Sequence, residues 1–144
     1  MKWVTRKGIR VNRTATAWLI RRFIDPQAEF HFREPDDVAR FEREHGAIGF
    51  DAPSTRYAHD HGVTSFEQLI AEHRLTHPAL ARLARIVHAA DVPGALHEAA
   101  EAAGLQAISR GFPLVAQDDH ETVARASFLY DALYAALETE RGAG

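Results

Sequence analysis

Cysteine is absent from the 144 residues. That excludes zinc–thiolate centres, thiol redox chemistry and a cysteine nucleophile. Long apolar runs are absent too. Trp18-Leu19-Ile20 is cut short by Arg21-Arg22, which fits a secretory signal poorly. No stretch approaches the roughly 20 apolar residues needed to span a bilayer. There is no glycine-rich phosphate loop after a strand, no Gly-x-Ser-x-Gly elbow and no His-Glu-x-x-His motif, which removes the most recognisable nucleotide-binding, hydrolase and zinc-protease signatures. The chain reads as soluble and cytoplasmic, with no membrane partner.

Acidic residues are missing from one place. Residues 1–24 hold Lys2, Arg6, Lys7, Arg10, Arg13, Arg21 and Arg22 and no Asp or Glu, a balance of +7. Against a total of −3, this leaves −10 for residues 25–144. A basic arm on an acidic body meets either an external anion or the protein's own carboxylates. The acidic body argues against direct nucleic-acid binding. Apolar residues make up 46% and charged residues 26%, ordinary values for one folded unit, 1–144, that needs neither disulfide nor structural metal.

Periodicity alternates between strand and helix in the first half. Lys2–Arg6 reads as a strand, with Trp3 and Thr5 on one face and Val4 on the other. A helix follows over 13–24, with Asn12 as N-cap and Pro26 as stop. Residues 28–33 alternate again, a helix from 34 ends at Gly46, and 47–50 form a third strand. Residues 55–61 read as a fourth strand or an extended loop. Helices then begin at Ser65 and Pro78, 95–110 is a helix interrupted at Gly104 and finished by Gly111-Phe112-Pro113, and a last helix runs from Asp118 or Asp119 to Glu140. The expected class is α+β, a small short-stranded sheet (an N-terminal β-α-β-α-β half) packed on a C-terminal helical bundle.

Three constellations could carry chemistry. The first is metal-binding. His59 and His61 are two apart and point the same way in an extended segment. His88 and Asp91 are three apart on one helical face, and Glu67 opens the helix just beyond the histidines. Asp91 ends its helix, where the macrodipole disfavours a carboxylate, so it needs a cation, either an arginine such as Arg13 or Arg21, or a metal. His59, Glu67 and Asp91, with His61 or His88 as a fourth, would suit Mn, Fe, Zn or Ni. The second is anion-binding by Arg13, Arg21 and Arg22, whose guanidinium groups match tetrahedral oxyanions; the alternative is that Arg21 pairs with Asp25 and the others with Asp51, Asp91 or Asp131. The third is Asp131, which is either part of a solvent stripe or pairs, buried, with an arginine of the opening helix.

The run Asn12-Arg13 followed by Trp18-Leu-Ile-Arg-Arg-Phe-Ile-Asp25-Pro26, with Phe50-Asp51, His59, Ser65-Phe66-Glu67, Asp91 and Leu129-Tyr-Asp-Ala-Leu-Tyr134, resembles the C-terminal domain of the ChrB-type chromate-resistance family from Trp3 to about Leu137. The resemblance implies a stand-alone ligand-sensing or metal-binding module whose pocket is completed by Trp18, Asp25, Asp51 and Asp131. Its partners would be a small inorganic anion or metal ion, and a homo-oligomer is compatible with it. The competing expectation is a small metal-dependent enzyme acting on an anionic substrate.

Overall fold

The structure is a computed structural model that describes residues 1–59 and 62–140. Three parallel strands form its sheet, in the order β2-β1-β3. They are β1 Lys2–Arg6, β2 Glu29–Arg33 and β3 Ile48–Gly49. Trp3 stands opposite Phe30 on one side and Ile48 on the other. As the central strand β1 is covered on both faces, so Trp3, Val4 and Thr5 are all buried. The expected alternation of Trp3 against Val4 holds, but because both faces are covered each side chain enters a core instead of one facing water, as it would in a half-solvated sheet. Trp3 joins the larger core with Phe30, Phe50, Leu69, Leu80 and Tyr130. Val4 joins a smaller one with Val38, Phe41, Ala47 and Ala52.

The helix between β1 and β2 starts earlier than its sequence suggests. It comprises α1 Val11–Leu19 and a wider π-helical turn, Ile20–Ile24. Asn12 is not its cap. It lies inside the helix, fully buried, and its amide donates to Ser65 Oγ at 2.9 Å. Pro26 does end the segment, with Asp25 held extended in front of it.

Helix α2, Val38–His45, closes on Gly46 in the left-handed conformation. The β3 strand is short because its backbone must pass close to a loop: a Cβ on Gly49 would meet Thr55 at 2.6 Å. Beyond it, residues 55–59 form turns with a single bridge between Phe50 and Tyr57; Asp60 and His61 lie outside the described residues. Helix α3, Ser65–Glu72, has Thr64 as N-cap in a full capping box with Glu67.

Helices α4 Pro78–Asp91, α5 Ala102–Val115 and α6 Asp119–Glu140 complete the α+β architecture. The expected break at Gly104 does not occur, and Gly111 and Pro113 lie inside α5. Glycine weakens a helix without forbidding it, and burial of Ala102, Leu105 and Ser109 holds the segment helical. Pro113 forgoes one hydrogen bond, and α5 ends two residues later. No helix among the described residues is long and apolar enough to cross a membrane.

Candidate functional site

Asp51 is the centre of the polar arrangement at the front of α1. It follows the Phe50–Tyr57 bridge with φ of 50°, a left-handed conformation that aspartate tolerates better than most residues. Its N–H donates to the Tyr57 carbonyl at 2.9 Å. This turns a buried carboxylate towards two arginines. Arg6, at the end of β1, donates from Nε to the Asp51 carbonyl at 2.7 Å and places Nη2 3.4 Å from Oδ1. Arg13, in the first turns of α1, sets Nη1 3.3 Å from Oδ2 and donates from Nη2 to the Gly8 carbonyl. The Asp51 and Arg13 side chains are only 6% and 14% exposed. Arg13 Nε is buried and finds no acceptor among the described residues.

His59 and Asp91 complete this cluster. His59 Nδ1 lies 3.7 Å from Asp51 Oδ1 and 3.7 Å from Asp91 Oδ2. Burial, and then the nearby Asp51 charge, push the Asp91 carboxyl above the usual aspartate range, against the lowering effects of His59, the Asn12 backbone N–H and Arg13. For Arg13, burial lowers the guanidinium's pKa and Asp51 opposes that shift. Arg6, Asp51, Pro53, Ala58 and His59 line an open pocket of about 470 Å³. At its helix end Asp91 has the Arg13 charge nearby and His59 Nδ1 at 3.7 Å. Arg21 plays no part there.

Glu67 and His88 form a neighbouring pair. One carboxylate oxygen of Glu67 accepts from the Thr64 N–H at 3.0 Å and from Thr64 Oγ1 at 2.9 Å, and lies 3.0 Å from His88 Nδ1. Burial alone would raise the Glu67 carboxyl, but these hydrogen bonds outweigh it and hold it low. On α4, His88 thus serves Glu67 while Asp91, one turn on, serves His59. Among the described residues, no three His, Asp or Glu side chains stand close enough to hold one metal ion. His61, the proposed fourth ligand, lies outside the described residues.

The other two arginines stand at the far end of the opening helix. Arg21 donates to the Ala28 carbonyl at 3.2 Å and lies over the Phe30 ring. Arg22 pairs with Asp131 at 2.7 Å, and Trp18 Nε1 donates to the same oxygen at 2.8 Å. Asp131 therefore ties the rear of the chain to the opening helix, as one of its two readings required, but it is half-exposed. Asp25 does not pair with Arg21. It accepts from Trp3 Nε1 at 3.0 Å and binds the Met1 ammonium at 3.1 Å. The π-turn explains this: the Asp25 N–H donates to the Ile20 carbonyl, five residues back, which breaks the four-residue stripe on which the pairing depended. Arg13 is separated from Arg21 and Arg22 by eight and nine residues, about 12 Å or more along the helix, and the three do not share one anion.

Sequence reasoning missed Arg6. Its place beside Asp51 follows from β1 pairing in parallel with β3, and no local pattern encodes that pairing. Four of the seven cations of the basic start meet the protein's own carboxylates: Arg6 and Arg13 share Asp51, Lys7 pairs with Glu34 and Arg22 with Asp131.

The chain is 36% identical to Protein ChrB of Cupriavidus metallidurans (strain ATCC 43123 / DSM 2839 / NBRC 102507 / CH34) over 97% of its own length, and spans 42% of that relative. No solved structure matches it. The family model described as the C-terminal domain of ChrB matches residues 3–137, and with Asp51, His59 and Asp91 all inside that span, the chain belongs to the ChrB C-terminal-domain family.

Proposed function

We propose that the chain is a ligand-binding module associated with chromate resistance, and that it binds a divalent transition metal, Mn, Fe, Zn or Ni, between Asp51, His59 and Asp91. The supporting observation is the position of His59 Nδ1, equally distant at 3.7 Å from one oxygen of each carboxylate. Donors about 2.1 Å from a shared ion stand roughly 3.0–3.4 Å apart, so metal binding requires the three side chains, too far apart as they stand to hold one ion, to draw together around it. Such a nitrogen/oxygen set suits borderline metals. Glu67 and His88 then act beside the ion rather than on it, because Glu67 is occupied by Thr64. We place this module in the cytoplasm as one folded unit, without direct nucleic-acid binding.

The unpartnered Nε–H of Arg13 favours a second reading, in which Arg6 and Arg13 hold a tetrahedral oxyanion such as chromate or sulfate. Both readings are tested on purified protein by elemental analysis and by melting temperature in the presence of chromate, sulfate or phosphate. Stoichiometric metal that is lost in His59→Ala and Asp91→Ala, with the fold retained, supports the first. A rise in melting temperature with oxyanion, lost in Arg13→Gln, supports the second. No metal and no shift with any oxyanion at millimolar concentration would remove both.

A further inference from the structure

The outer face of α5 is mostly apolar, with Arg110 as the one charged residue beside it. Ala103, Gly104, Ala107, Ile108, Leu114 and Val115 are all exposed, Leu114 to 82% and Val115 to 67%. They lie opposite the inward stripe of Ala102, Leu105 and Ser109. A helix with apolar residues on its outer as well as its inner face belongs between packed layers, yet α5 is covered on one side only. Between α5 and α6 this face opens into a groove of about 360 Å³ walled mainly by Ile108, Phe112, Val115 and Leu129, with Thr122 and Arg125 as its polar members. Gly104 and Gly111 have no atom within 4 Å of a Cβ placed on them. Nothing inside the chain requires glycine there, whereas close approach of another backbone would.

We infer that this face is the interface of a symmetric dimer, in which α5 packs antiparallel against α5 of a second copy. Charge placement favours a second copy over an unrelated partner. Glu98, in a short turn ahead of α5, and Glu101, at its N-cap, are exposed, as is Arg110 towards its C-terminal end, and none of the three makes an ion pair among the described residues. Antiparallel pairing sets the acidic end of each helix beside the basic end of the other and opposes the two macrodipoles. An interface of this kind uses the same patch twice, so the chain supplies its own complement. A patch on the scale of a typical monomer's largest, about 300–600 Å² per copy, makes an interface at or below the small end of the specific range. The dimer is accordingly a weak, reversible one.

Sedimentation velocity on the whole 144-residue chain, from about 1 to 500 µM, where interfaces of this size associate, tests it. The expected result is a concentration-dependent monomer–dimer equilibrium. Leu114→Asp, at a residue without inward contacts, weakens it at least tenfold while the circular dichroism spectrum and melting midpoint stay unchanged. Arg110→Glu weakens it too, and adding Glu98→Arg and Glu101→Arg restores it. A monomer at every concentration would overturn the inference, as would a dimer indifferent to Leu114→Asp.

Discussion

The two ends of the opening helix each carry an arginine–aspartate pair, and the pairs differ in almost everything else. At the front, Arg13 meets Asp51 with both side chains nearly enclosed, a second arginine on the same carboxylate, a histidine and a second aspartate beside it, and a left-handed backbone beneath. At the rear, Arg22 meets Asp131 at a shorter distance, 2.7 Å, with side chains 43% and 47% exposed. Distance alone would rank the rear pair as the stronger. Burial reverses the ranking, since water screens the rear pair and is excluded from the front one. The front cluster also combines features expensive to maintain for stability alone: a raised Asp91, an orphaned guanidinium N–H and positive φ at a non-glycine residue. Such features gather where a ligand is held. The rear pair has none of them and serves as a clasp between α1 and α6.

The largest effect is expected from Asp51→Ala. It leaves Arg6 and the nearly buried Arg13 without their shared carboxylate and costs about 3–5 kcal/mol, measured by urea unfolding. Thr64→Ala, which removes the capping-box hydroxyl next to the front cluster, costs about 1 kcal/mol by the same measurement. Asp91→Asn gives a smaller effect of opposite sign in metal-free protein. The folded Asp91 pKa lies above its unfolded value, so its contribution is favourable below the unfolded value and is lost as pH rises through the folded one. An amide in its place stays neutral at every pH. The variant should therefore be more stable than the native chain at neutral pH and lose that advantage below about pH 4, the unfolded range; equal stability at neutral pH would contradict the raised pKa. The smallest effect is Asp131→Ala, about 0.2–1 kcal/mol and declining with added salt. If Asp131→Ala proved as damaging as Asp51→Ala, the contrast between the ends would fail.

Much of this was legible in the residues. Helix starts at Ser65 and Pro78, the stop at Gly46 and the α+β class follow from local caps, breakers and periodicity, and local signals are what a single sequence carries. The requirement that Asp91 find a cation was also readable, because a carboxylate at a helix C-terminus is locally anomalous. What was not readable depended on non-local pairing. Arg6 reaches Asp51 only through the parallel register of β1 with β3. Arg21 misses Asp25 because a π-turn, which has no plain sequence signature, widens the helix there. Asn12 looked like a cap and is instead a buried bridge to Ser65, a role set by where α3 packs. The expected shared anion site of Arg13, Arg21 and Arg22 is divided between the two ends of the helix for a related reason: a helix seen in projection has faces, but its length keeps Arg13 and Arg22 apart.

The most direct test of the front cluster as the ligand site is a side-chain NMR titration of the histidines, nine in the chain, with Zn(II) and, separately, chromate. His59 should shift saturably at about one equivalent of whichever ligand binds, with His77 and His120 unmoved. Shifts confined to histidines other than His59, or none at all, would contradict the assignment of the site.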